Sequence, residues 1–170
     1  MTGFITLKNI KHAEFASQET HCYEATLYVD GARWGVVSNE GHGGADMFHA
    51  ERPYRDSLRA LDDRIAREYP KIEFDGMEPM DASLETVCGD LVNQWLAQRD
   101  IARELTRCTK GKVSFFKEPP ARGVSVFSIP LGSHALDKVV DHVRTKYPGA
   151  VVLNTMPKPE ALAVLERVML

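Results

Sequence analysis

The turn at Asp30-Gly31 is the feature that most constrains how this 170-residue chain folds. Both residue types tolerate the positive φ that tight hairpin turns require. Residues 23–29 before the turn alternate between apolar and polar side chains, which is typical of a half-buried strand. A return strand is expected over residues 33–38. The sequence therefore predicts an antiparallel β-hairpin in the N-terminal part of the chain.

A glycine-rich stretch, Ser38-Asn39-Glu40-Gly41-His42-Gly43-Gly44, follows the return strand. Three glycines within four positions indicate a backbone that adopts positive φ or approaches another group closely. Such a loop can direct backbone N–H groups at an anion, so we expect a ligand-binding site here. Its expected residues are Ser38, Asn39, Gly41, His42, Gly43 and Gly44.

The glycine-rich stretch matches neither G-x-x-x-x-G-K-[ST] nor G-x-G-x-x-G, because no lysine follows it and no clear helix begins directly after it. The alternative is a loop that only turns a corner of the fold. Nothing in this pattern identifies the ligand.

Further elements follow from side-chain periodicity and from the positions of proline and glycine. Proline bars a continuous helix from earlier residues, and it closes helices that precede it. The expected elements are a strand at residues 4–10, a connection at 46–53, a helix from Tyr54 that Pro70 closes and whose Leu58, Leu61 and Ile65 face inward, a short extended piece at 72–74, and a long helix capped by Asp81 or Ser83 that runs to Leu105.

The C-terminal part is expected to have the order ββαβα. This order excludes a regular doubly wound sheet and predicts an α+β fold with an N-terminal antiparallel hairpin region and two central helices. The length fits a single compact domain over residues 1–170, or two lobes, 1–105 and 106–170. The expected C-terminal elements are strands at 113–117 and 124–129, a helix capped by Gly132-Ser133 and ended by Pro148-Gly149, a strand at 150–153, and a helix from Pro159 with Leu162, Leu165 and Met169 inward.

Composition limits the classes of function. The apolar share of 44% and the charged share of 26% are ordinary for a globular protein. A formal net charge of -3 gives no global electrostatic reason to bind nucleic acid. No apolar stretch approaches the length of about eighteen residues that spans a membrane, and the N-terminus has no signal-peptide pattern. We therefore expect a cytoplasmic protein without membrane contact.

Histidines, a cysteine and carboxylates in the N-terminal part of the chain raise the alternative of a metal site. Three widely spaced cysteines argue against a disulfide framework and against a paired C-x-x-C metal site. No pair of histidines has the helical i, i+4 spacing of a zinc site, so we expect no metal and no other cofactor. The side chains considered were His12, His21, His42 and His49 with Cys22, Glu40, Asp46 and Glu51.

Nucleophilic catalysis is a second alternative. Cys22 or Ser38 could act with His42, and Asp46 could orient the imidazole. However, the chain has no G-x-S-x-G elbow and no cysteine-enzyme signature. Catalytic residues are therefore not assigned.

A local basic patch surrounds the second predicted hairpin. Aromatic side chains beside cations on strands are typical of single-stranded nucleic acid platforms, although strand alternation directs about half of such aromatics into the core. The residues considered for nucleic-acid contact are Lys110, Lys112, Lys117 and Arg122, interleaved with Phe115, Phe116 and Phe127.

Leu7-Lys8-Asn9-Ile10 leads through the hairpin into the glycine-rich stretch, and Lys146-Tyr147-Pro148-Gly149-Ala150 continues to Asn154. These two stretches resemble small proteins encoded by phages, prophages and plasmids. The resemblance covers about a third of the chain and implies a mobile-element context. Small proteins in that context often inhibit host defence by binding a protein complex or by sequestering a nucleotide signal.

These observations favour a non-enzymatic binding protein, a counter-defence factor that contacts a protein partner or a phosphate-bearing ligand through the glycine-rich loop. The alternative is an enzyme that acts on a nucleotide or nucleic acid, with His42 as acid, base or ligand. The two differ in whether loss of the imidazole would abolish turnover.

Overall fold

The computed structural model describes residues 3–73 and 75–170 and has the α+β fold expected from the sequence. The chain divides into two compact units, Met1–Trp95 and Leu96–Leu170. The division falls inside a long helix, so each unit contains one half of that helix.

The first unit is built on a four-stranded antiparallel sheet. Its strands are β1 (Ile5–His12), β2 (Cys22–Val29), β3 (Ala32–Glu40) and β4 (Met47–Ala50), in the order β1-β2-β3-β4. Asp30 and Gly31 join β2 to β3 with positive φ angles of 51° and 78°, which confirms the predicted hairpin. Alternation directs one face inward, where Tyr23, Ala25, Leu27 and Val37 are buried.

Two predictions for this sheet were wrong. β3 extends to Glu40, two residues beyond the predicted end at Ser38, so Asn39 and Glu40 belong to the strand and not to a loop. The following segment is not a plain connection, because residues Met47–Ala50 pair with β3 as a fourth strand. A four-residue edge strand gets its stability from its partner strand, and its own sequence is too short to show a clear period.

The helices of the first unit are α1 (Leu58–Glu68) and the start of α2 (Leu84–Thr109). A 3₁₀ turn occupies Arg52–Tyr54, so the helix expected from Tyr54 begins four residues later, although Leu61 and Ile65 are buried as predicted. Leu58 remains exposed, contrary to the prediction. Of the extended piece predicted at 72–74, Ile72 bridges to Met80, and residue 74 lies outside the described residues.

Ser83 caps α2, as one of the two predicted alternatives required. The Ser83 hydroxyl accepts a hydrogen bond from the Thr86 N–H at 3.2 Å, and the Thr86 hydroxyl accepts one from the Ser83 N–H at 2.9 Å. This reciprocal pairing satisfies N–H groups that have no partner inside the helix.

The second unit has the predicted ββαβα order. Its elements are β5 (Lys112–Phe116), β6 (Phe127–Pro130), α3 (Leu136–Lys146), β7 (Val151–Val152) and α4 (Lys158–Met169), with sheet order β6-β5-β7. Phe115 packs with the buried valines of α3 on one face of β5, and Phe116 packs with Leu165 of α4 on the other. The central strand is therefore buried on both faces.

Three details of this unit differ from prediction. The second strand begins at Phe127, because Val124 and Val126 pack half-buried against the core without pairing. The residue that caps α3 is Ala135, and Gly132 instead forms part of the preceding turn. Met169 on α4 is exposed, although Leu165 is buried.

The side chain of Asn154 joins three segments of the second unit. Its Oδ1 accepts a hydrogen bond from the Ser114 N–H at 2.9 Å. Its Nδ2 donates to the carbonyls of Lys112 at 2.9 Å and Thr109 at 3.4 Å. The amide therefore holds the C-terminal end of α2 and the start of β5 against the turn after β7.

The three thiols are expected to differ in reactivity. Cys22 is half-buried, whereas Cys88 and Cys108 are buried. Burial raises the pKa of the Cys88 thiol, and it raises the pKa of Cys108 to about 11. The thiolate is the reactive form. A disulfide reagent at neutral pH should therefore modify Cys22 rapidly, and it should modify Cys88 and Cys108 only after denaturation. Cys22→Ser should remove the rapid phase, and its persistence in that variant would contradict the assignment.

Candidate functional site

The side-chain amide of Asn39 organises the end of the first sheet. Its Oδ1 accepts hydrogen bonds from the Thr20 hydroxyl and from the Gly41 N–H, both at 2.8 Å. Its Nδ2 donates to the Gly44 carbonyl at 2.9 Å and to Asp46 Oδ1 at 3.0 Å. All four hydrogen-bonding positions of this buried amide are thus used.

Residues 41–44, which follow β3 and which we call the glycine turn, also hold the β1–β2 loop, residues 13–21. The Gly41 carbonyl accepts hydrogen bonds from the N–H groups of Gln18 at 2.9 Å and Glu19 at 3.1 Å. The Gly43 N–H donates to the Thr20 hydroxyl at 3.3 Å. Two separate loops are therefore held in a single arrangement.

Ser17 braces the same loop from within. Its hydroxyl donates to the Ala13 carbonyl at 2.9 Å and accepts a hydrogen bond from the Cys22 N–H at 2.9 Å. Between these anchored positions, residues Glu14–Ala16 form a 3₁₀ turn that carries Phe15, whose side chain is 94% exposed. A large aromatic ring is thus presented to solvent on a loop with a fixed conformation.

Asp46 connects the turn to the buried phenol of Tyr23. The Tyr23 hydroxyl donates to Asp46 Oδ2 at 2.5 Å. Burial of the ring, followed by the hydrogen bond to the carboxylate, raises the pKa of Tyr23 well above its ordinary value. The Asp46 N–H donates to Glu85 Oε1 of α2 at 3.2 Å.

These groups surround a cleft of about 420 Å³ in the first unit, which we call the acidic cleft. Three carboxylates line it against a single histidine, so it favours a positively charged ligand. Gly89 of α2 also lines it, and a Cβ at that position would meet no atom within 4 Å. The cleft is lined by Ser17, Gln18, Glu19, Thr20, His21, Tyr23, Asn39, Gly44, Asp46, Glu85, Gly89, Val92 and Asn93.

The predicted ligand-binding residues are divided between two surfaces. Gly44 lines the acidic cleft, Ser38 and His42 line a second, shallow pocket of about 550 Å³, and Asn39 lines both. Neighbouring side chains of β3 point to opposite faces of the sheet, so the Ser38 side chain is directed away from the buried Asn39 amide. Gly41 and Gly43 instead use their N–H groups within the protein.

The groups considered for nucleophilic catalysis do not form a hydrogen-bonded triad. Cys22 and Ser38 share the shallow pocket with His42. Among residues 3–73 and 75–170, no side chain hydrogen-bonds to the His42 imidazole, and the Asp46 carboxylate is bonded to Tyr23 and Asn39. Within the same described ranges, no three His, Cys, Asp or Glu side chains are grouped closely enough to hold a metal ion.

Sequence reasoning missed Thr20, Tyr23, Glu85 and Phe15. Asp46 and Glu85 are 39 positions apart in sequence, so no local spacing could bring them together. Tyr23 was assigned only to a buried face. The sequence signal for Phe15 was its position as an isolated aromatic residue in a polar connection.

The four residues considered for nucleic-acid contact all lie in the second unit. Lys110 and Arg122 are exposed in turns, and Lys112 is half-buried at the start of β5. Lys117 follows β5, and its Nζ lies 3.9 Å from the centre of the Phe127 ring.

Comparisons of the chain with models of known protein families, with curated proteins and with solved structures give no match. In the part of the chain that the structure describes, no helix combines the length and the apolar character needed to cross a membrane.

Alanine substitutions in the glycine turn should destabilise the protein to different degrees, because the three glycines differ in φ and in the space around a Cβ. At Gly41, φ is +86° and a Cβ would lie 2.3 Å from the Ala16 carbonyl oxygen, so Gly41→Ala should lower the free energy of unfolding by about 3 kcal/mol. At Gly43, φ is +84° but the nearest atom is the end of the flexible Glu19 side chain, so about 1 kcal/mol is expected. Gly44→Ala has open space and serves as the control. Urea denaturation measures all three, and equal losses would contradict the ranking.

Loss of the Asn39 amide should destabilise the first unit. Asn39→Ala leaves the Gly44 carbonyl and the Gly41 N–H without their partner, so the free energy of unfolding should fall by about 3 kcal/mol. Ser38→Ala, one position away on the opposite face, is the matched control, with an expected change below about 0.5 kcal/mol. Urea denaturation that gave equal losses for both variants would overturn the role assigned to the amide.

Proposed function

We propose that this chain is a non-enzymatic binding protein of a mobile genetic element, a counter-defence inhibitor that acts through a protein partner. The observation that carries the proposal is the 94% exposure of Phe15 on a hydrogen-bonded loop. Exposed single apolar residues are common on protein surfaces. An aromatic ring on a hydrogen-bonded loop differs, because that loop is already ordered and loses little conformational entropy when a partner binds.

Aromatic side chains supply much of the binding energy at protein interfaces. Phe15 stands two positions before Ser17, the first residue that lines the acidic cleft. A partner with an apolar pocket for the ring and a Lys or Arg side chain for the cleft would match this surface. The carboxylates of Glu19, Asp46 and Glu85 would bind the cation, and the ring would provide a central anchor.

A protein partner is favoured over a phosphate-bearing ligand for two reasons. The N–H groups of Gly41 and Gly43 already donate to Asn39 and Thr20, so they are not available to bind an anion. In addition, carboxylates at the cleft would repel phosphate. The mobile-element context rests on the resemblance described above, and inhibition of a host defence complex is the role that it suggests.

The test uses the full chain expressed in host cells. A photo-crosslinking phenylalanine analogue at position 15 should form a defined adduct with one host protein, whereas the analogue at Met77, which is 65% exposed, should not. Phe15→Ala should weaken binding of the crosslinked protein by about 30-fold or more, as expected for an aromatic anchor. Its free energy of unfolding should change by less than about 0.5 kcal/mol, because the ring contacts little in the free protein.

Gly89→Leu tests the acidic cleft separately. A leucine would fill the cleft, and its Cβ would not lie close to existing atoms, so it should weaken binding and leave the fold intact.

In cells that carry the targeted defence system, phage plating should recover with the natural chain and fail to recover with Phe15→Ala. A partner complex whose interface omits residues 13–21 would refute the proposed surface.

A further inference from the structure

The two units carry opposite charge. Residues 1–95 contain nine Lys and Arg residues and seventeen Asp and Glu residues, a formal net charge of -8. Residues 96–170 contain twelve and seven, a formal net charge of +5. The net charge of -3 for the whole chain is therefore the sum of an acidic first unit and a basic second unit. Such an asymmetry between halves of a chain is typical of proteins in which one part contacts a polyanion.

The basic charge of the second unit is not neutralised evenly. Its ion pairs lie along α2, where Arg99, Arg103 and Arg107 contact Asp100 or Glu104. Among the described residues, no carboxylate lies within 4 Å of Lys117 or Lys146. Free cationic charge is thus present at the end of β5 and at the end of α3.

Two aromatic rings lie beside these lysines. Lys117 Nζ is 3.9 Å from the centre of the Phe127 ring and 4.8 Å from that of Tyr147. Lys146 Nζ is 5.7 Å from the centre of the Tyr147 ring. Phe127 is 40% exposed on β6. We call Lys117, Phe127, Lys146 and Tyr147 the lysine–aromatic cluster.

The inner side of the cluster is rigid. Phe115 of β5 stacks on Tyr147 with ring centres 5.4 Å apart, and it lies 6.0 Å from Phe127. Phe115 itself is buried with the valines of α3. Both outer rings are therefore backed by the core, whereas the lysine side chains beside them are exposed.

From this arrangement we infer that the second unit binds single-stranded nucleic acid at the lysine–aromatic cluster. A base stacks on Phe127 and displaces the Lys117 ammonium group, which then contacts an adjacent phosphate. Stacking of a base on an aromatic ring is worth more than the cation–π contact of an exposed lysine, so the exchange is favourable. Lys146 supplies a second phosphate contact. This inference is independent of the function proposed for the first unit.

The test measures fluorescence anisotropy of a labelled oligothymidylate of about 16 nucleotides with the full chain, at about 50 mM and about 200 mM salt. Binding should weaken steeply with salt. Lys117→Gln should reduce affinity about fivefold to tenfold and lower the salt slope by about 0.7, because one phosphate contact is lost. Phe127→Leu, which keeps apolar volume without a stacking ring, should reduce affinity about fivefold with little change of slope.

Lys138→Gln is the matched control. It removes the same charge from the N-terminal part of α3, about 12 Å along the helix from Lys146, and should change affinity less than about twofold. An equal loss with Lys138→Gln would show that only net charge matters and would overturn the site. Three further results would overturn the proposed site. They are an affinity for a duplex of the same length equal to that for the single strand, an affinity for polyglutamate equal to that for the single strand, and no binding at the lower salt concentration.

Discussion

The arrangement of the first unit depends on one buried side-chain amide, that of Asn39. Its two acceptor and two donor positions join the β1–β2 loop, the glycine turn and Asp46. A buried amide is costly when any of its positions lacks a partner, so its full use selects a single loop arrangement over the alternatives. Asn154 has a similar role in the second unit, where it holds the ends of α2 and β5 to the turn after β7.

The elements with strong local signals could be predicted from sequence. The Asp30-Gly31 hairpin, the stripe that buries Leu61 and Ile65, and the ββαβα order all follow from turn chemistry and periodicity. The elements that failed depend on distant partners. β4 exists because β3 pairs with it, and Val124 and Val126 pack on the core without entering the sheet.

The candidate site was predicted only in part, and strand alternation explains why. The glycine-rich stretch drew attention to the correct region, but its residues were treated as one loop. Because Ser38 and Asn39 are consecutive in β3, their side chains point to opposite faces of the sheet, and of the two only Asn39 lines the acidic cleft. The carboxylate of Glu85 comes from a helix much later in the chain, which no local motif could indicate. Net charge was similarly uninformative until the division into two units separated acidic from basic residues.

Gly89 leaves part of the wall of the acidic cleft without a side chain. In the middle of a helix, glycine costs about 1 kcal/mol relative to alanine. Here its φ is not in the left-handed region and its missing Cβ would meet open space, so the backbone does not require it. Larger side chains at this position would fit the helix and narrow the cleft by successive steps. A substitution at residue 89 would thus change the volume of the acidic cleft while the hydrogen-bonded framework around Asn39 stays unchanged.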